Sequence, residues 1–394
     1  MAERGSGPSP HPSDGFSLGY PDDVFAIRLP QGTPMHLHGC LLAVVALAFA
    51  RPLPSNLAFD PDEGTVLKRT FTYATEVALD DMTVTFDGAD MTAMIGAVDI
   101  ETTNEQVFAV TDEVVSTSDG KILELHRTFD QVSGSGEFSM DVAGNSQSEE
   151  VSASSELEGE TVVFSWNDDE GAYDIRARED SDVDEELLEG IDFVMDLSAF
   201  LPDGDVDEGD QWSVPTGDLG VLTWPGGDLG LLPDNMEEVD GFDQEMIQDF
   251  IRDSQERANE VIQEALEGEV TATFVGVQER DGLELGLIDV ELDLELDVDM
   301  ADFAEELLDR ILSDLELPTE VEVSIGLMQV GATLEGGGQV LWHVDGQHGR
   351  SLSMEVDYDF ELEAEVSFAA EGEGGDAGLT VEGSGTAELE ILIE

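Results

Sequence analysis

A single cysteine, Cys40, stands in 394 residues, so no intramolecular disulfide can form. It falls in a stretch read below as a cleaved leader, which leaves the mature chain without thiol chemistry. Lysine is almost as scarce, with only Lys68 and Lys121; 14 basic residues face 92 acidic ones, for a net charge of -78. Nucleic acid and anionic membrane surfaces need a basic footprint that no window of this chain supplies, so neither is a partner. No apolar run reaches the roughly 20 residues that a membrane-crossing helix needs, which excludes an integral membrane span of that kind. Beyond the leader, the only imidazoles are His126, His343 and His348. A G-x-S-x-G elbow, a phosphate loop, a zincin helix and a dinucleotide fingerprint are all missing. Gly134-Ser135-Gly136 does not match the elbow. The reading is therefore no enzyme and no cofactor.

What the chain does have is alternation. From 288 to 299, Ile288, Val290, Leu292, Leu294, Leu296 and Val298 alternate without a break against Asp289, Glu291, Asp293, Glu295, Asp297 and Asp299. A period of two dries one face of a strand and wets the other. A second such segment covers 354–368, where Met354, Val356, Tyr358, Phe360 and Leu362 alternate with carboxylates, and the two are expected to pair or to share a sheet. At 41% hydrophobic the chain is too apolar to be disordered and long enough to bury a substantial core.

Taken in order, residues 1–34 are rich in Gly, Pro and Ser and read as disordered or upstream of the true start, with Met35 the better initiator. Residues 35–50 form a signal peptide, with Ala48-Phe49-Ala50 matching small-x-small cleavage. Residues 51–394 are expected to make one β-rich domain. Strand-like segments cover 65–79, 91–102, 107–117, 122–129, 137–142, 160–166 and 172–178. Ser118-Asp119-Gly120 and Arg280-Asp281-Gly282 read as hairpin turns, since Asp-Gly accepts positive φ. A short helix is expected near 185–200. A Gly/Pro-rich apolar loop follows over 216–240, holding Leu222, Trp224, Leu229, Leu231 and Leu232 as candidates to cover a ligand. An amphipathic helix is read over 244–267 and a second over 300–316, capped by Asp299. The remaining strands fall at 269–278, 283–298, 321–334, 339–344, 351–368, 378–381 and 386–393.

Two constellations suggest metals and have plainer readings. Asp203, Asp205, Asp207 and Asp210 carry a spacing like that of a calcium loop, yet Glu208 and Val214 stand where such a loop needs Gly and a bidentate Glu. His343, Asp345 and His348 could hold a metal, but a turn through Gly346 and Gly349 accounts for them as well.

The stretch 201–212, L-P-D-G-D-V-D-E-G-D-Q-W, resembles the P-x-x-x-V-x-x-G-D-x-W signature of a family of secreted bacterial, planctomycete-like proteins of unknown function. Residues 338–352, a strand, a Gly turn and a return strand, resemble that family too. The resemblance runs loosely from Thr65 to the end. It implies that the 203–210 carboxylates belong to a structural strand entry. It also implies a curved antiparallel sheet like that of periplasmic lipoprotein carriers, with helices plugging an open half-barrel. It supplies no catalytic residues.

The fold expected is mainly β (α+β): a large curved antiparallel sheet or half-barrel with two amphipathic helices packed on one face. The function expected is a secreted or periplasmic non-enzymatic protein whose apolar face, covered by the helices and the Trp224 loop, binds a hydrophobic small molecule or simply forms a core. The alternatives are an extracellular structural or divalent-cation-binding acidic protein, and a carboxylate-based hydrolase. The acidity makes its own prediction. Crowded carboxylates repel, and salt screens them over a Debye length of about 8 Å at physiological ionic strength. The melting temperature is expected to rise from low to high NaCl; a flat profile in a calorimetric salt series would contradict it.

Overall fold

From residue 66 onward, most segments alternate apolar and polar side chains. That pattern builds strands far longer than usual. The computed structural model describes residues 57–96, 98–118, 120–142, 145–179, 181, 183, 186–223, 225–234, 261, 265–306, 321–370 and 373–394. Leu53–Glu394 is one compact unit.

The strands are β1 (Val66–Phe86), β2 (Ala89–Asp90), β3 (Val98–Ser118), β4 (Lys121–Val142), β5 (Asn145–Ser154), β6 (Thr161–Asn167) and β7 (Ala172–Ala177). They continue with β8 (Gln211–Val214), β9 (Leu232–Pro233), β10 (Leu266–Arg280), β11 (Leu283–Asp299), β12 (Val321–His343), β13 (His348–Ala370) and β14 (Glu373–Ile393). All belong to one 14-stranded antiparallel sheet in the order β7-β6-β4-β3-β1-β14-β13-β12-β11-β10-β8, with β2 on β1, β5 on β4 and β9 on β5. Among the described residues the ladder ends at β7 and β8 and does not close. The first long strand pairs with the last, from Arg69↔Ile393 to Phe86↔Ala377.

Strands of 21 to 23 residues reach about 70 Å. One end of the sheet, the base, holds the hairpins β3–β4, β10–β11 and β12–β13. Gly120 (φ 79°), Asp281 (φ 54°) and Gly282 (φ 80°) occupy left-handed positions there, as the Asp-Gly pairs predict. At the base the inner positions make a dry core, including Phe71, Val110, Phe129, Phe164, Ile288, Trp342, Leu352 and Ile391. The chain between β7 and β10 supplies further core residues: Leu187, Ile191, Met195, Leu197, Phe200, Leu219 and Leu229. This insert touches both arms of the sheet. Phe193 stacks on Tyr173 of β7 at 3.9 Å, while Leu197 lies against Gly349 of β13.

β11 carries the alternation as read. Val290, Leu292 and Leu294 are buried, and Glu291, Asp293 and Glu295 are exposed. β11 and β13 share the sheet with β12 between them. Other expectations need correction. The segments 107–117 and the part of 91–102 from Val98 on merge into β3, while Thr92–Ile95, expected as strand, is a short helix; 122–129 and 137–142 merge into β4, and 321–334 and 339–344 into β12. Glycines stand at two of these joins, Gly134 and Gly136 in β4 and the run 336–338 in β12. In β12 a Cβ on Gly336 would run into the Glu355 carbonyl, and one on Gly338 into that of Ser353. Those glycines permit close strand approach within a continuous ladder.

The 185–200 period does not make one helix. Glu186–Glu189 is α-helical and Ser198–Phe200 a 3-10 turn; between them Asp192 N–H donates to the Gly226 carbonyl (2.7 Å) and Asp228 N–H to that of Gly190 (2.8 Å), pulling the chain into the loop. Leu266 and Glu267, expected to end the first amphipathic helix, pair with Leu296 and Glu295 as the start of β10; 244–260 and 262–264 of that helix lie outside the described residues. The second helix starts as read, over 301–306, with Ala301 N–H donating to Asp299 Oδ1 at 2.9 Å. Its remainder, 307–316, is outside the described residues.

Leu294 is 4% exposed, so Leu294→Asp both empties a packed site and buries a charge, at a cost of about 3 kcal/mol or more. Glu295→Lys faces water between like charges and is expected to be neutral or mildly stabilising. Urea denaturation of both variants checks this; equal losses would contradict a one-sided strand.

Candidate ligand-binding face

The boundary of the basal core is a row of paired residues crossing the sheet: Gly136, Asn104, Thr75, Ala387, Val356, Gly336, Leu292 and Val270. Beyond it, toward the open end, the inner positions stay apolar. They include Leu79, Met82 and Val84 of β1, Ile100 of β3, Met328 and Val330 of β12, and Phe360, Leu362, Ala364 and Val366 of β13, all half-buried, together with Leu294 and Val298 of β11 and Val381 of β14, which are buried. Their outward neighbours on β13, from Asp357 to Glu365, are exposed carboxylates. The Phe360 ring lies where a Cβ on Gly383 would sit, and the Tyr358 ring does the same over Gly385. Aromatics covering cross-strand glycines restore packing that the glycines lack. Partial burial raises the Tyr358 hydroxyl above its ordinary pKa. Phe86 and Phe368, rings 5.8 Å apart, extend the apolar surface to the tip.

Charge divides along the same row. Among the described residues every Lys, Arg and His (Lys68, Arg69, Lys121, His126, Arg127, Arg176, Arg178, Arg280, His343, His348 and Arg350) lies on its basal side. Among the described residues, the charged side chains of the open half are all carboxylates.

Two of those cations are in the core. Arg69 of β1 and Arg127 of β4 flank Asp112 of β3, and all three are at most 3% exposed. Arg69 Nη1 donates to Asp112 Oδ2. Arg127 donates through Nε to Asp112 Oδ1 at 2.8 Å and through Nη2 to Oδ2 at 3.1 Å. Arg127 also reaches the insert, donating to the carbonyls of Asp192 (3.1 Å) and Phe193 (3.0 Å). Burial alone would raise the Asp112 pKa, but the two guanidiniums overcome it and hold the carboxyl below the usual range. Sequence reasoning missed this triad, although a signal was present. Leu67-x-Arg69-x-Phe71, Val110-x-Asp112-x-Val114 and Leu125-x-Arg127-x-Phe129 each put a charge in the apolar phase of a strand.

The residues singled out from the sequence fall elsewhere. Leu229 is in the basal core, with Leu222 and Leu231 packed against it; Leu232 sits in β9 opposite Ser154. Trp224 lies outside the described residues. His343 and His348 face each other across the base of the β12–β13 hairpin, Nδ1 to Nε2 at 3.4 Å, and burial, with help from nearby Arg69, His343 and Arg350, lowers the His348 pKa. In the 203–210 stretch, Asp207 N–H donates to Asp210 Oδ2 (2.8 Å), and Gly209 N–H donates to the Phe274 carbonyl (2.7 Å) at the entry to β8. Among the described residues no three His, Cys, Asp or Glu side chains are grouped to hold a metal, and no helix is long and apolar enough to cross a membrane.

No protein-family model matches the chain, and no curated protein matches it. Among solved structures, an outer membrane channel from Pseudomonas putida F1 aligns at 9% identity over 84% of this chain and 96% of its own, with a TM-score of 0.17. The β domain of a Bordetella autotransporter aligns at 9% identity over 83% of this chain and 99% of its own, with a TM-score of 0.11. Scores of this size do not establish a common fold.

Removing Asp112 would leave two guanidiniums facing each other in the core. Asp112→Asn is therefore expected to cost about 3–5 kcal/mol. Because the folded pKa is depressed, the triad's contribution is complete above the unfolded carboxyl value of about 3.9 and is lost as pH falls through the lower folded value. Denaturation of wild type and variant from pH 7 to 2 should show the stability gap narrowing only at the acid end; a constant gap would contradict the assignment.

Proposed function

We propose that this is an exported, non-enzymatic β protein of the cell envelope or its surroundings, whose sheet, a half-barrel plugged at the base, holds a hydrophobic molecule on the inner face of its open half. One observation carries the reading. The apolar phase of β1, β12, β13 and β14 runs on past the basal core, where inner residues such as Val330, Phe360 and Leu362 are half-buried. Apolar surface on this scale exceeds what core formation at the base requires, and large apolar patches mark binding surfaces. Export is supported by the apolar run after Met35 and by Ala48-Phe49-Ala50.

A neutral polarity-sensitive dye, N-phenyl-1-naphthylamine, is expected to bind with a blue-shifted emission. Binding should weaken at least about tenfold in the double variant Val330→Asn/Leu362→Gln, a loss of about 1.4 kcal/mol, with the far-UV circular dichroism unchanged. Absence of dye uptake by the wild type, or uptake unaffected by the substitutions, would refute the reading. Amino-terminal sequencing of the mature protein should begin at or near Arg51; an intact cytosolic chain would refute export.

A further inference from the structure

The open half pairs an apolar inner face with a rim of a single sign. On one side stands β5, with Glu149 in the inner phase and Glu150 in the outer, both exposed; on the other, the edge at the start of β10, with Glu267 and Glu269 exposed in the outer phase; at the tip, Asp87 and Asp376. No described Lys, Arg or His stands on this half. Among the described residues a phosphate or carboxylate head brought here meets no cation, and the described charges give it a negative potential, whereas a cationic head is drawn in.

Resting on the binding reading above, we propose that the occupant of this face is a basic amphipathic segment of polypeptide, whose apolar stripe lies on the sheet and whose Lys and Arg side chains reach the carboxylate rim. The dimensions agree. From Tyr358 to Phe368 the face runs for about 33 Å at ~3.3 Å per residue, the length of a helix of about 22 residues. Long cationic side chains can cover apolar surface with their stems while their heads extend to the edge. The carboxylates of the rim then set both the selectivity and the salt sensitivity of binding.

The test uses the full mature chain and two fluorescent peptides of about 20 residues that carry the same leucine stripe at helical spacing, one with Lys and one with Glu at every polar position. N-phenyl-1-naphthylamine serves as the neutral control. The Leu/Lys peptide is expected to bind at least about tenfold tighter than the Leu/Glu peptide at low salt and to lose that advantage at about 0.5 M NaCl. It should displace the dye. Val330→Asn/Leu362→Gln should release it, whereas Glu361→Gln/Glu363→Gln on the outer face should change its affinity by less than about threefold. If the dye binds but the two peptides do not differ, the inference on charge fails while the binding reading stands. If neither dye nor peptide binds, including because the chain's own segments cover the face, the binding reading itself fails. Leu/Lys binding that ignores the inner-face substitutions would be adsorption to a polyanion and would overturn the proposal.

Discussion

The pairing of β1 with β14 is the constraint on which the rest of the structure depends. On one side of that seam lies an amino-terminal meander of β3, β4, β6 and β7; on the other, a carboxy-terminal meander from β13 back to β10. Neither contains the whole inner face. Only when Phe71 stands between Phe108 and Ile391 does the apolar phase of one meander become continuous with that of the other. The buried triad stands beside the seam. Arg69 belongs to β1, and its partners Asp112 and Arg127 lie one and two strands away, so the triad fixes the register of three strands and, through the carbonyls of Asp192 and Phe193, the insert. A charged group in a dry core tolerates no slip of one residue, since a slip would move every side chain to the other face.

Much of the sheet was legible in the residues because a period of two survives any amount of acidity. β11 and β13 follow their alternation, and the Asp-Gly turns fall where the dipeptides stand. Strand ends were less legible. Gly134 and Gly136 in β4 and the Gly336–338 run in β12 carry the composition of a turn, and only the neighbouring backbone shows that Gly136 and the β12 run relieve crowding. The helix pattern at 187–195 was an apolar pattern with a different cause: Leu187, Leu188, Ile191 and Met195 are buried in the basal core from an irregular insert held by tertiary hydrogen bonds, while Val194 is exposed. The triad was readable in principle from charges in the apolar phase, but a chain with so many carboxylates draws the eye to anions in general and away from the few that are misplaced.

The row of paired residues from Gly136 to Val270 separates two environments in one sheet. Basal strands bury their inner face against the insert and hold every described cation. The open half keeps the same alternation without that filling, so one set of strands serves as a scaffold at one end and as a surface at the other. Carboxylates on the outward side of the open half also work against edge-to-edge and face-to-face association of copies, which long apolar strands otherwise invite.

The seam also governs how the protein comes to be folded. Lys68 and Glu394 exchange backbone hydrogen bonds, 2.9 Å and 2.8 Å, so two residues at opposite ends of the folded unit are direct neighbours. β1 is made early and must wait for nearly the whole chain before its second partner exists. Contacts of such sequence separation slow folding, and in the interval one edge of β1 stays open along its full length, available to any other strand. Such a protein acquires its central strand pair last, and a chain truncated anywhere before β14 would retain an amino-terminal meander with an unsealed edge and half of an inner face.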